Sequence, residues 1–379
     1  MRLALWGCFV STCLVAAVAP GSSPEAILSA PPGRAAANDG RGEAKPADAA
    51  ERISDKIAAL PADDEYYSLE LVPPQSETSL AKLRQRIDSA KQDGRLLFVS
   101  VTWRIGNTTP EQSLEFAELC QRELGVTALL HMSGTNMSTQ EMDRTLEDVR
   151  ARGIRNIFAV RGNRLPGAEN SAVPQAFPWA VDLVRHIREK HGDYFCIGVA
   201  AYPEGHFNAS DARSQSLEHD LPFLAKKVEA GADFVISQLF FNGSAYDSFE
   251  TRLREYSNAF ATIPILPGIL PIQSKSSVEF GARLAHATVP DDLISRLDKF
   301  EGNKDKVRDE GANAVSELVQ QVRATQCRHG GPRGYHFFNA NEGKSVSLIL
   351  DKSNIVPGPG RCSNQGALFG CRSTDSAAT

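Results

Sequence analysis

The chain has 379 residues, 42% of them hydrophobic and 23% charged, which is ordinary globular composition. That length suits one α/β barrel of roughly 250 residues with tails, or two average domains. A net charge of −5 and a pI near 6.0, with no clustered Lys or Arg, argue against nucleic-acid binding. Seven scattered cysteines with no CxxC pair argue against a disulfide framework and a structural zinc site.

In chain order, Arg2 precedes an apolar run over 3–19 that ends Ala17-Val18-Ala19, a signal-like pattern too short for a confident membrane span of about 20 residues. Pro20 disfavours cleavage there, so an uncleaved anchor or an organelle-targeting leader stays open. The following stretch is rich in Ala, Pro, Gly and charge and cannot bury enough surface to offset chain entropy. These shifts divide the chain into a targeting-like segment over 1–22, a disordered linker over 23–62, a barrel over 63–345 and a tail over 346–379. Cys362 and Cys371 in the tail would be free to pair in an oxidising compartment.

Within the barrel region, apolar, β-branched or aromatic runs appear at 66–72, 96–103, 126–133, 156–162, 195–202, 234–241, 264–270 and 334–341. Such near-continuous runs suit strands buried on both faces of a parallel sheet. Amphipathic helix patterns lie between them: Leu80, Leu83 and Ile87; Met142, Leu146 and Val149; Leu221, Leu224 and Val228. Ser138 with Glu141 forms a capping box, and Gly153 and Gly231 mark helix ends. Eight such units predict a closed (β/α)8 TIM barrel; an open doubly wound sheet is the alternative, weakened because no GxGxxG follows the first strand. Barrel chemistry sits at the C-terminal strand ends, which directs attention to Glu70, Thr102, His131, Arg161 with Asn163, Tyr202 with His206, and Gln238. A polar side chain inside an apolar strand needs a partner or a ligand.

The segments HMSGTNMSTQEMDRTLEDVRARGIRNIFAVRGN (131–163), IGVAAYPEGH (197–206), KKVEAGADFVISQLFFN (226–242), ILPGILPIQS (265–274) and GYHFFNANE (334–342) resemble the methylenetetrahydrofolate reductase family, in the expected order over about 63–345. The resemblance implies FAD at the C-terminal mouth and reduction of 5,10-methylenetetrahydrofolate to 5-methyltetrahydrofolate, with NADH or NADPH as hydride source. It assigns Glu70 as the acid that protonates the departing folate nitrogen and Gln238 as a folate-binding amide. Taken alone, Glu70 reads more readily as a strand-end carboxylate paired with Lys or Arg, and Gln238 as a core amide bonded to backbone. Thr102, His131, Val160, Arg161, Gly162, Trp179, Ala180, Tyr202 and His206 fall on positions that line the cofactor in the family. Asp220 and Lys227 match those holding the FAD ribose and phosphate. For the two histidines alone, a hydrogen-bonded core role is the plainer reading. No His/Asp/Glu trio has metal-ligand spacing.

The departures fall on the substrate side. Asn163 stands where the family has an aspartate near flavin and pterin, which removes a negative charge and should ease flavin reduction. Lys275, which the resemblance places among the substrate-binding residues, takes the place of an aromatic that stacks on folate or nicotinamide; Leu71-Val72 replaces two phenylalanines; Arg104 follows Thr102-Trp103. These changes keep two alternatives open: a divergent flavoprotein acting on another pterin or acceptor, and a non-catalytic flavin- or folate-binding barrel. The short stretch after the eighth strand implies no S-adenosylmethionine-binding regulatory domain. The resemblance implies a cytosolic enzyme of small-molecule substrates, whereas the leader and the sequons at Asn107, Asn136, Asn208 and Asn242 leave organellar or secretory routes open. A homo-oligomer is likewise left open.

Overall fold

The computed structural model describes residues 51–355 except 104–107, 163–175, 208–214 and 342. The leader, most of the expected linker, Arg104, Asn107, Asn163, Asn208, Cys362 and Cys371 lie outside the described residues. In chain order the elements are α1 (Ile53–Ala58), β1 (Glu65–Leu71), α2 (Glu77–Lys91), β2 (Leu96–Val101), α3 (Pro110–Arg122), β3 (Ala128–Ser133), α4 (Thr139–Ala151), β4 (Asn156–Val160) and α5 (Ala180–His191). They continue with β5 (Cys196–Ala201), α6 (Leu217–Glu229), β6 (Phe234–Leu239), α7 (Gly243–Tyr256), β7 (Ile265–Ile269), α8 (Lys275–Ala285), α9 (Asp291–Asp298), α10 (Lys304–His329), β8 (Arg333–Phe337) and α11 (Lys344–Ser353). The eight strands pair in sequence order, all parallel, and β1 closes against β8: the expected (β/α)8 barrel.

The helix patterns bury the faces that their spacing predicts. Leu83 and Ile87 of α2, Met142, Leu146 and Val149 of α4, and Leu221 and Leu224 of α6 are buried. Ser138 and Glu141 form the predicted capping box at α4. Alternation along the strands sorts each residue to one face. On β1, Tyr67 and Leu69 face outward beside α2 and α11, so Ser68 and Glu70 face the barrel interior. On β2, the ring of Phe98 meets Phe234 of β6 and His336 of β8 inside the barrel, so Ser100 also faces inward. Gly198 of β5 leaves room for this aromatic layer, since a Cβ there would come within 2.5 Å of the Phe234 ring.

Three boundaries differ from the sequence expectation. Residues 53–58, expected in the disordered linker, form α1 and close the N-terminal end of the barrel. Ile53 and Ile57 are buried there, Ile53 N donates to Asn156 Oδ1 at 2.8 Å, and Lys56 Nζ donates to Leu97 O at 2.9 Å. Two isoleucines four apart and one anchoring amide suffice to order a single helical turn against an existing wall, which composition averaged over forty residues hides. At the other end α11 runs past 345 to Ser353, burying Val346, Ile349 and Leu350. Finally, the strands stop short of the apolar runs. Phe240 and Phe241 follow β6, and Phe338 follows β8, yet all three are buried. Phe240 stacks on Tyr246 of α7 with ring centroids 5.1 Å apart, Phe241 lies beside Gly281 of α8, and Phe338 packs edge-on to His336 while its N–H donates to Ile269 O at 2.9 Å.

Candidate active site

Every strand-end residue singled out above that the structure describes lies at the C-terminal mouth. Val160, Arg161, Ala180, Tyr202, Lys227 and Gln238 line one cleft with about 390 Å³ of unfilled space, open solvent included. The cationic side chains of this wall come from different elements. Arg161 follows β4 and lays its guanidinium over the Trp179 ring at 4.5 Å, a cation–π contact with an exposed aromatic. Lys227, on α6, donates from Nζ to Ala200 O at 2.5 Å. Burial pulls the Lys227 ammonium down to about 8, while Asp220, about two turns earlier on the same helix, opposes the drop. Asp220 accepts from the His206 backbone N–H, and the His206 ring meets Tyr202 edge-on at 4.8 Å. Burial, then the nearby Arg161 and Lys227 charges, push His206 down to about 4, so its imidazole is neutral at physiological pH.

The turn after β4 needs glycine. Gly162 has φ +78°, and a Cβ there would lie 1.7 Å from Ser133 Oγ. Ser133 Oγ instead donates to Arg161 O at 2.9 Å, and Thr135 Oγ1 donates to the same carbonyl. This pair of hydroxyls fixes the backbone from which Arg161 projects.

The wall formed by β1, β2 and β3 is polar but uncharged. Glu70 is 1% exposed, and burial pushes its carboxyl up to about 7. Its Oε1 accepts from Asn339 N at 3.4 Å, while Oε2 has no hydrogen-bond partner among the described residues. Thr102 Oγ1 and His131 Nε2 are also buried without partners. His131 packs on Phe158 with ring centroids 5.0 Å apart, and burial holds it at about 3. Unpaired buried polar atoms are rare in folded chains, so three on neighbouring strands mark a place where a bound molecule completes the bonding.

Gln238 lies on this interior at the end of β6, where the ladder to β7 shifts register between Ile236 and Leu239. Its Oε1 accepts from Leu239 N at 2.9 Å, which leaves the amide N–H₂ end for a ligand acceptor. Ser237, which sequence reasoning passed over, stabilises the shift: its hydroxyl donates to Gln238 O and accepts from Gly268 N, each at 2.9 Å. Ser100 and Asn339 were passed over too. Ser100 was findable from strand parity with Phe98; the Asn339 contact, made by backbone at a left-handed residue of φ 47°, carries no signal in residue type.

Lys275 is not brought to this group. It opens α8 and its Nζ donates to Asp298 of α9 at 2.8 Å, outside the cleft. Among the described residues no cluster of three His, Cys, Asp or Glu could hold a metal, and no helix is long and apolar enough to cross a membrane.

With eight strands and a mouth of this make-up in view, comparison with known proteins is decisive at the family level. The methylenetetrahydrofolate reductase family model matches residues 53–354. The chain belongs to the methylenetetrahydrofolate reductase family. It is 38% identical to methylenetetrahydrofolate reductase 2 of Schizosaccharomyces pombe over 308 residues, 80% of this chain and 48% of that protein. It is 28% identical to 5,10-methylenetetrahydrofolate reductase of Escherichia coli, over 77% of this chain and 91% of that one. The chain thus spans about half the length of its fungal family relative and nearly all of the bacterial one. Among solved structures, an uncharacterized Clostridium thermocellum protein that binds two copies of 5-methyl-5,6,7,8-tetrahydrofolic acid superposes with TM-score 0.53 at 15% identity, covering 80% of this chain and 99% of that one. That likeness speaks to the barrel fold.

Proposed function

We propose that this family member catalyses the FAD-dependent reduction of 5,10-methylenetetrahydrofolate to 5-methyltetrahydrofolate with NADH or NADPH, within one-carbon and methionine metabolism. The observation that carries the reading is Glu70: a buried carboxyl that stays protonated up to about pH 7, with Oε2 unpartnered inside the mouth.

The residues present fit FAD. Thr102 Oγ1 and His131 Nε2 are buried donors or acceptors awaiting a partner, and Gly162 keeps the β4 turn free of a side chain. Arg161 and Lys227 set two cations on the same cleft, as a diphosphate requires. In this reading they hold the phosphates, Asp220 and His206 brace the adjoining loop, and Tyr202, Trp179, Ala180 and Val160 supply the apolar wall. When bound, FAD would take hydride from the nicotinamide and give it to the folate. Glu70 supplies what the flavin does not. Opening the methylene bridge requires a proton on the departing nitrogen, and a carboxyl tuned near 7 is both protonated and acidic enough to give it. The N–H₂ end of Gln238 would orient the pterin.

The test is an anaerobic two-step titration of the flavin-loaded chain. NADH or NADPH should bleach the visible flavin band, and methylenetetrahydrofolate should restore it. A band that bleaches but does not return with folate would favour another acceptor, the reading to which Asn163 and the withdrawn Lys275 point. Protein that takes up no flavin would defeat the proposal.

A further inference from the structure

Glu70 and Ser100 are register partners on β1 and β2, and both face the barrel interior. Ser100 is 0% exposed, and its Oγ, like Glu70 Oε2, has no hydrogen-bond partner among the described residues. Two orphaned polar atoms on directly paired residues of one face form a built arrangement. Neighbouring strands lie about 4.8 Å apart, so a carboxyl rotation or one bridging water joins the two groups.

We propose that Ser100 is a positioning residue for Glu70: its hydroxyl oxygen accepts a hydrogen bond from the Oε2–H of the protonated carboxyl, directly or through one water, and keeps the acid protonated and oriented until folate arrives. The inference rests on the reductase reading above. Its chemistry follows from the bonding already in place. Oε1 is occupied by the Asn339 N–H, so the acid proton resides on Oε2. A buried O–H without an acceptor is costly, and the serine oxygen has lone pairs to offer. Once the proton has gone to substrate, Glu70 is left as the carboxylate and takes its next proton from solvent, and the serine oxygen again accepts the hydrogen bond of the restored acid.

The other titratable groups facing this part of the interior do not change charge where Glu70 does. His336 of β8 is hydrogen-bonded through Nδ1 to Ser68 Oγ at 2.8 Å, and His131 lies on β3; burial holds both at about 3. Asn339 contributes only backbone. Arg161, Lys227, Asp220 and His206 belong to the wall across the barrel, on β4, β5 and α6 and their loops.

The test compares Ser100→Thr with Ser100→Val, two side chains of equal size that differ in the hydroxyl, alongside Ser100→Ala. In the full chain, the infrared carbonyl band of the protonated Glu70 carboxyl is isolated by subtracting the Glu70→Gln spectrum and followed against pH. The wild-type midpoint near 7 should persist in Ser100→Thr and fall by about one pH unit, tenfold in protonation, in Ser100→Val and Ser100→Ala. The alkaline limb of the folate half-reaction should move with it, while bleaching by NAD(P)H should not. Equal midpoints in Thr and Val variants, or an upward shift in the latter, would overturn the proposal. Because the band titrates without folate, a wild type that fails to reduce folate would defeat the reductase reading separately.

Discussion

Replacing Glu70 with glutamine should make the protein more stable at alkaline pH, and the size of the gain follows from the carboxyl's surroundings. Glu70 titrates at about 7 in the fold against an ordinary 4.5, a difference of about 2.5 pH units. At about 1.4 kcal/mol per unit, ionising this carboxyl in place costs about 3 kcal/mol relative to ionising it in the unfolded chain. Between pH 4.5 and 7 the folded state binds the proton more tightly than the unfolded one, so wild-type stability falls as pH rises through that window and levels off above it. Glutamine carries no such proton. Urea denaturation of the wild type and Glu70→Gln at pH 4 and pH 8 isolates the term, because every other titrating group cancels in the comparison. The variant should gain about 3 kcal/mol on the wild type between the two pH values. A gain below about 1 kcal/mol would mean that Glu70 is solvated or paired in the folded chain, and the acid role would lose its physical basis. The same variant should still be bleached by NAD(P)H but no longer reoxidised by folate.

Four other outcomes follow. Gly162→Ala places a Cβ on Ser133 Oγ at a left-handed φ; it should lower stability by about 1–3 kcal/mol and reduce the flavin-to-protein ratio of the purified chain. Lys227→Met removes a cation at similar volume and should weaken FAD binding at least about tenfold, read by quenching of flavin fluorescence. Since Lys227 loses its charge near 8, FAD uptake by the flavin-free wild type should also weaken as pH rises past that value. Asn163→Asp restores a negative charge and should lower the flavin potential in a dye-coupled redox titration; a wild-type potential no higher than the variant's would count against the tuning role of Asn163.

Fold and family were legible because they rest on local pattern. Strand runs such as 96–103 and helical faces such as Met142, Leu146 and Val149 report burial directly, and the strand-end rule led from them to Glu70, Arg161 and Gln238. What stayed hidden depends on register or on single contacts. That Ser100 lies beside Glu70 is a property of the β1–β2 ladder, which shifts register between Tyr67 and Ser68. No composition rule finds α1, because its order comes from Ile53 N–H donating to Asn156 and Lys56 donating to Leu97, both on strands far along the chain. Lys275 was read as a substrate contact from its place in a motif; only the position of Asp298 reveals where its ammonium is held.

The division of the mouth into a cationic wall and an uncharged one would allow the two proposed chemistries to share it. Arg161 and Lys227 suit a diphosphate, yet a cation about 4 Å from Glu70 would favour its carboxylate by about 4 kcal/mol at an effective dielectric of 20. That is about three pH units, enough to return the carboxyl to its ordinary range and leave no acid at neutral pH. Among the described residues burial raises the Glu70 carboxyl and the Asn339 N–H opposes it, with neither Arg161 nor Lys227 contributing. Their charge falls instead on His206, which it helps to keep neutral. In the proposed reaction, placing the cations after β4 and on α6, across the barrel from β1, would keep phosphate binding and proton donation from cancelling each other. A charge-introducing change on the β1–β3 wall, for example Thr102→Lys, should therefore damage folate reduction more than its effect on FAD binding alone would suggest.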